Sequence, residues 1–372
     1  MTRSAPKVAA AVLLSVSSVA GCSSSPPDAG GAVASSPLAV PSALSAEDAG
    51  RAFLADYVTE EGRVVRRDEG GDTVSEGQAY AMLVAAAIGD RKTFAAVWSW
   101  TEANLRRPDG LLSWRWADGA VADPSSASDA DLDAARALAI AGQAFDDPEL
   151  TAEGVTLGQA VLDLETVGTG AGRVLVAGNW ATTAPYAYNP SYPSPAATAV
   201  LAEVSGDPRW AELDAGTRTV TAALVERSAL PPDWAQVGED GSVEATAGAS
   251  GGGDRILYGF DAARMPVRFA ESCRPRDRAL AAALAAPLSS AGDTARLDLA
   301  GQPVADFDSV VAAVAQAAVA AAQGDEDRAA QELADAQRIH EATDTYYGAA
   351  WNALGRLLLT DDALGGCPPL PS

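Results

Sequence analysis

The chain has 372 residues, with 26 Lys and Arg against 50 Asp and Glu, one His and three Cys. A formal charge of −24 repels phosphate backbones and argues against a nucleic-acid partner. One His and three Cys barely reach the three or four ligands that a His/Cys zinc site needs, and a Ser-His-Asp triad would rest wholly on His340. Carboxylates remain as the groups able to carry chemistry, no metal or cofactor is expected, and the length suffices for one large domain.

The N-terminus reads first as an address. Arg3 and Lys7 precede an apolar run from Val8 to Ala20, of signal-peptide length and too short to span a bilayer. The run ends in Val19-Ala20-Gly21-Cys22 and serines, and it resembles a bacterial lipoprotein signal. That resemblance implies cleavage after residue 21, lipid on Cys22 and an extracytoplasmic location, with the membrane reached only through the lipid. Residues 22–44 are small, Pro-rich and nearly uncharged, as in a flexible tether. Residues 45–372 form the expected folded domain, read as a monomer. Outside the cytoplasm Cys273 and Cys367 could pair in a disulfide, with two separate thiols as the alternative.

From Ser45 onward apolar residues recur at helical spacing in Ala-rich stretches. The spacing predicts helices at 45–58, 75–88, 91–106, 129–145, 155–165, 193–204, 208–227, 272–286, 305–323, 326–340 and 344–359. Strand signals are short, at 63–65 and 173–176. Three long connections, 111–123, 179–195 and 231–258, hold Trp114, Trp116, Trp180, Tyr186, Tyr188, Tyr192, Trp234 and Tyr258. Such aromatics either plug the end of a helical barrel or line a groove that stacks on sugar faces.

Three segments could carry chemistry. In Val74-Ser75-Glu76-Gly77-Gln78-Ala79-Tyr80, Ser75 and Gln78 fit a capping box, which makes Glu76 a first-turn acid. In Ser128-Asp129-Ala130-Asp131-Leu132-Asp133 the alternating Asp suggest calcium, but Ala134 and Ile140 replace the Gly and Glu of an EF-hand. A helix capped by Ser128 or Asp129 fits better, with Asp129 and Asp133 on one face. In Tyr258-Gly259-Phe260-Asp261-Ala262-Ala263-Arg264, an Asp among aromatics has an Arg three residues on, an oriented carboxylate or a structural pair.

Together and in this order the segments resemble glycoside hydrolase family 8. SEGQAYAM is similar to its SEGxxYGM, ASDADLD to ASDADxD, NPSYPSPAA to NPSYFxPA, and YGFDAARMPVR to YDAxRxPWR. PDW (232–234) and DTYYGAAWNAL (344–354) complete the series over roughly residues 45–360. The resemblance implies an all-α (α/α)6 barrel. It implies Glu76 as general acid, Asp261 as general base and Asp129 as the residue that binds and distorts the sugar. Arg264 would orient Asp261. Trp114, Trp116, Trp180, Tyr192, Tyr346 and Tyr347 would bind substrate.

Departures fall mostly at bulky positions: Ala81, Ala134, Phe145, Val267 and Pro193 replace larger or different residues. The expected function is an inverting endo-glycosidase of a β-1,4-linked polysaccharide, a cellulose-type glucan first. Xylan or chitosan is the alternative substrate, and a non-catalytic polysaccharide-binding lipoprotein the alternative class.

Overall fold

The computed structural model describes residues 44–272 and 274–365. The signal segment, the tether, Cys22, Cys273 and Cys367 lie outside them, and with them the lipidation and disulfide expectations. The helices in chain order are α1 (Ala46–Tyr57), α2 (Ser75–Ala87), α3 (Arg91–Leu105), α4 (Ser128–Ala144), α5 (Pro148–Leu164), α6 (Pro195–Ser205) and α7 (Arg209–Arg227). They continue as α8 (Met265–Ala270), α9 (Pro275–Ala282), α10 (Ala285–Ala291), α11 (Val310–Gln323), α12 (Glu326–Thr343) and α13 (Tyr346–Thr360).

Two kinds of helix alternate. Every residue from Ser128 to Gly142 of α4 and from Val310 to Ala321 of α11 is buried. Such helices, apolar or paired all round, belong inside. Helices α1, α3, α5, α7 and α12 bury one face only. The buried helices touch in the order α2, α4, α6, α8, α11, α13, and α13 returns to α2. Each carries an outer partner: α3 on α2, α5 on α4, α7 on α6, α9 on α8, α12 on α11, and α1 on α13. This is an (α/α)6 barrel.

Local chemistry sets the helix ends. Ser194, Ser309 and Thr345 accept a first-turn N–H at the starts of α6, α11 and α13. Gly206 and Gly324 end α6 and α11 with positive φ. Small residues let the rings close: a Cβ at Gly154 of α5 would lie 2.8 Å from the Ala135 carbonyl oxygen of α4. Buried ion pairs tie α4 to α8. Arg136 donates to Glu271 (2.8 Å) and to the Leu364 carbonyl (2.6 Å), and Arg268 holds Asp133.

Several expectations need correction. Ser75 does not cap α2, whose N-cap is Val74. Gln78 instead accepts the Val64 N–H (2.6 Å) and donates to Thr101 Oγ1 (2.7 Å), because buried partners on neighbouring segments compete for its amide. Neither Ser128 nor Asp129 caps α4: Ala127 is the N-cap, and Ser128 Oγ donates to the Val176 carbonyl at 2.5 Å. Helix α5 starts at Pro148 rather than 155, a Pro at the first helical position. The span 272–286 divides into α9 and the start of α10, and short α8 lies before it.

The long aromatic connections are ordered by small sheets. Strands β1 (Thr73–Val74), β2 (Arg115–Ala117) and β3 (Ala120–Asp123) form one antiparallel sheet, and β4 (Thr166–Thr169) pairs with β5 (Gly172–Leu175). Strands β6 (Tyr186–Tyr188), β7 (Trp234–Val237) and β8 (Val243–Thr246) form the third. The signal at 63–65 gives only an isolated bridge between Val58 and Val64. Among the described residues no helix is long and apolar enough to cross a membrane.

Candidate active site

The N-terminal ends of α2 and α4 and the turn before α8 converge at one end of the barrel. Glu76 is in the first turn of α2, Asp129 in the first turn of α4, and Asp261 and Arg264 are the N-cap and the last residue of a 3-10 turn (262–264) that leads into α8. Strand β1 aims α2, since Val74 pairs with Arg115 and the Ser75 N–H donates to the Trp114 carbonyl (2.9 Å). Gly77 is required there by close approach: a Cβ would sit 2.4 Å from the Tyr346 hydroxyl.

One guanidinium ties the three acids together. Arg264 is 2% exposed. Its Nη1 donates to Glu76 Oε1, to Asp129 Oδ2 (3.0 Å) and to the Tyr80 hydroxyl oxygen (3.0 Å), and its Nη2 donates to Asp261 Oδ1 (2.7 Å). Tyr80 in turn donates its O–H to Glu76 Oε1 (2.8 Å). Spacing alone pairs Arg264 with Asp261; the structure gives it two further carboxylates. The Glu76 and Asp261 side chains stay open to the cleft, 23% and 33% exposed, while that of Asp129 is 5% exposed.

Three carboxyls around one cation are short of positive charge. Burial pushes the Asp129 carboxyl up to about 6, against the pull of Arg264 and with the help of Glu76. Burial also raises Asp261, again against Arg264. Asp129 and Asp261 therefore hold a proton more readily than separate surface acids would. Behind it, buried Asp131 and Glu165 are raised by burial, Glu165 to about 8. Ser126 Oγ donates to Glu165 (2.6 Å), and the Leu112 N–H donates to Asp131 (2.8 Å).

Other supporting residues come from segments without a signal of their own. Asp233 Oδ1 accepts the Gly259 N–H (2.9 Å) and the Ala262 N–H (2.8 Å), which fixes the turn carrying Asp261. Asn189 is buried. Its Oδ1 accepts the Ser191 N–H (3.0 Å), so its amide orientation is set, and its Nδ2 has no hydrogen-bond partner among the described residues. PDW and NPSY contain these residues, but only the fold shows what they hold.

The aromatic candidates divide between two walls. Tyr346 and Tyr347, at the start of α13, line a cavity of about 470 Å³ that also includes Glu76, Asp261 and Phe307. The Tyr347 O–H donates to the Phe260 carbonyl (3.1 Å). Tyr192 lies over Arg264 (5.5 Å) and meets Trp234 edge-on. Trp180 is 46% exposed and donates its indole N–H to the Ser126 carbonyl (3.1 Å), beside the start of α4. Trp114 and Trp116 sit on or next to β2. Trp116 is packed between Arg63 (4.3 Å) and Trp100, a structural setting.

Asp293, Glu332 and Asp335 bring carboxylate oxygens within 4.8 Å of one another. Arg328 pairs with Glu332 (3.3 Å), Arg338 with Asp335 (2.8 Å), and Gln316 donates to Asp293 (2.8 Å), so this cluster reads as an ion-pair network.

This geometry can be set beside known proteins. The model of glycosyl hydrolases family 8 matches residues 32–361. The chain belongs to that family. It is 36% identical over 224 residues to a probable endoglucanase of Novacetimonas hansenii, covering 58% of this chain and 64% of that protein. It is 30% identical over 206 residues to an endoglucanase of Cellulomonas uda, covering 53% and 57%. The chain thus spans less than two thirds of these relatives' length. An endo-β-1,4-glucanase from Acetobacter xylinum superposes with a TM-score of 0.70 at 26% identity, covering 85% of this chain and 98% of that one. A family 8 endoglucanase from Klebsiella pneumoniae gives 0.69 at 25%, covering 83% and 98%.

Proposed function

We propose that the chain is an inverting endo-β-1,4-glucanase acting on a cellulose-type glucan, held outside the cytoplasm by lipid on Cys22. The carrying observation is the Arg264 cluster, which binds Glu76, Asp129 and Asp261 to one buried cation at the barrel mouth. Glu76 gives its proton to the glycosidic oxygen as the C1–O bond breaks. Water attacks C1 from the opposite face, and Asp261 takes the proton that this water loses. Asp129 bonds the sugar at the cleaved bond and favours its distortion. Glu76 regains a proton and Asp261 loses one before the next turnover. Inversion needs the acid and base about 6.5–9.5 Å apart, with room for one water. A guanidinium between Glu76 and Asp261 is consistent with such a gap, since it keeps the two carboxyls out of direct contact.

The test is product stereochemistry and two substitutions. Proton NMR of cello-oligosaccharide cleavage should show the α-anomer first. Glu76→Gln and Asp261→Asn should each lower kcat by about 10²–10⁴-fold or more. A β-anomer first, or unchanged turnover in either variant, would overturn the role assignment. The non-catalytic reading predicts glucan affinity with no new reducing ends; the intact Arg264 cluster favours hydrolysis over it. Anchoring is tested separately: Cys22→Ser should release the protein from the membrane fraction.

A further inference from the structure

The cavity shared by Glu76 and Asp261 has a wall that the chemistry above does not use. Phe307 stands on it and is 52% exposed. Its backbone is fixed, because its carbonyl accepts the Ala295 N–H (2.9 Å) and the next residue, Asp308, bridges Thr294. Ser309 follows as the N-cap of inner helix α11. The ring is therefore presented half-exposed on ordered backbone, beside a cavity holding two reactive carboxylates. A flat apolar ring with a negative face suits the axial C–H face of a pyranose.

The charges on this wall narrow the ligand. Exposed Asp68, Glu69 and Asp308 line the cavity. Its Arg66 is already paired with Asp72 through Nε and Nη2, both at 2.8 Å. The unbalanced charge is negative, so a uronic or carboxymethylated sugar meets like charge while a neutral hexosyl unit does not.

We infer that this wall is a subsite for neutral hexosyl units of the bound chain, with Phe307 as its stacking platform and the three carboxylates as its barrier to anionic sugars. The inference rests on the reading of the cleft as a glucan site. Calorimetry with cellohexaose and cellobiose in a Glu76→Gln background tests it. Phe307→Ala should weaken cellohexaose binding between about two- and tenfold, and Phe307→Trp should restore it. Equal melting temperatures of the variants control for folding. The double variant Glu69→Gln with Asp308→Asn should raise turnover of carboxymethylcellulose relative to lichenan, a neutral glucan.

Unchanged cellohexaose affinity in Phe307→Ala, equal change on both polymers, or no cello-oligosaccharide binding at all would overturn the subsite. Wild-type protein that binds cellohexaose without cleaving it would instead overturn the hydrolase reading, and the Phe307 result would still decide the subsite.

Discussion

Asp129 should destabilise the fold that displays it. Its carboxyl has an ordinary value of 3.8 and is pushed up to about 6 by burial, despite Arg264. Above pH 4 the unfolded chain has lost this proton while the folded one still holds it. Stability is fully present below the unfolded value and is lost as pH rises through the folded one. Two units at about 1.36 kcal/mol each give a loss of about 3 kcal/mol between pH 4 and pH 7.5, as an upper bound for the coupled cluster. Asp129→Asn removes that titration. It also forfeits part of the Arg264 contact, at a cost that does not depend on pH in this range. The quantity to read is therefore the change in the stability difference between the two pH values. Urea unfolding followed by tryptophan fluorescence should show the variant gaining about 2–3 kcal/mol on wild type from pH 4 to pH 7.5, while its kcat collapses. A gap that stays constant, or that moves the other way, would refute the claim that ionisation of this buried acid opposes folding.

Three further substitutions probe the supports. Gly77→Ala drives a methyl into the Tyr346 hydroxyl, so it should cost about 1–3 kcal/mol in thermal unfolding and lower activity through displaced Glu76. Arg136→Met leaves Glu271 buried without its cation and should cost about 3–5 kcal/mol, measured by urea denaturation, with the catalytic pH profile unmoved. Asp233→Ala frees the Gly259 and Ala262 N–H groups and should lower kcat more than it raises KM, since the turn it releases carries Asp261 rather than the sugar.

The sequence was most legible where chemistry restricts residue type. Glu76, Asp129, Asp261 and Arg264 stand in segments whose order points to one family, and the fold brings all four into one hydrogen-bonded cluster. Long periodic helices were legible as well, because an Ala-rich stretch of three or more turns has few other uses. Capping was not. Ser-x-x-Gln reads the same whether Gln78 turns back to its own helix or reaches the Val64 N–H in the connection before α2, and only the neighbouring segment decides. The short strands were hidden for a related reason: two to four residues carry no period, and their partners lie far off in sequence, as Tyr188 and Ala235 do.

The same distinction hides most of the partners of Arg264 from the sequence. From sequence it has one visible partner, Asp261, three residues away. Its other acids are 188 and 135 residues distant and are reached only when α2 and α4 point their N-termini at the turn before α8. The ring of inner helices thus does more than support a cleft. It concentrates three acids on one buried cation, a deficit of charge that is unfavourable for folding and suited to moving protons. A protein with 50 acids could scatter them over its surface at little cost; here Asp129 and Asp261 are placed where burial opposes their ionisation. What separates this cluster from Asp293, Glu332 and Asp335 is that its three acids share one buried guanidinium beside a cavity, whereas Glu332 and Asp335 each pair with an arginine of their own.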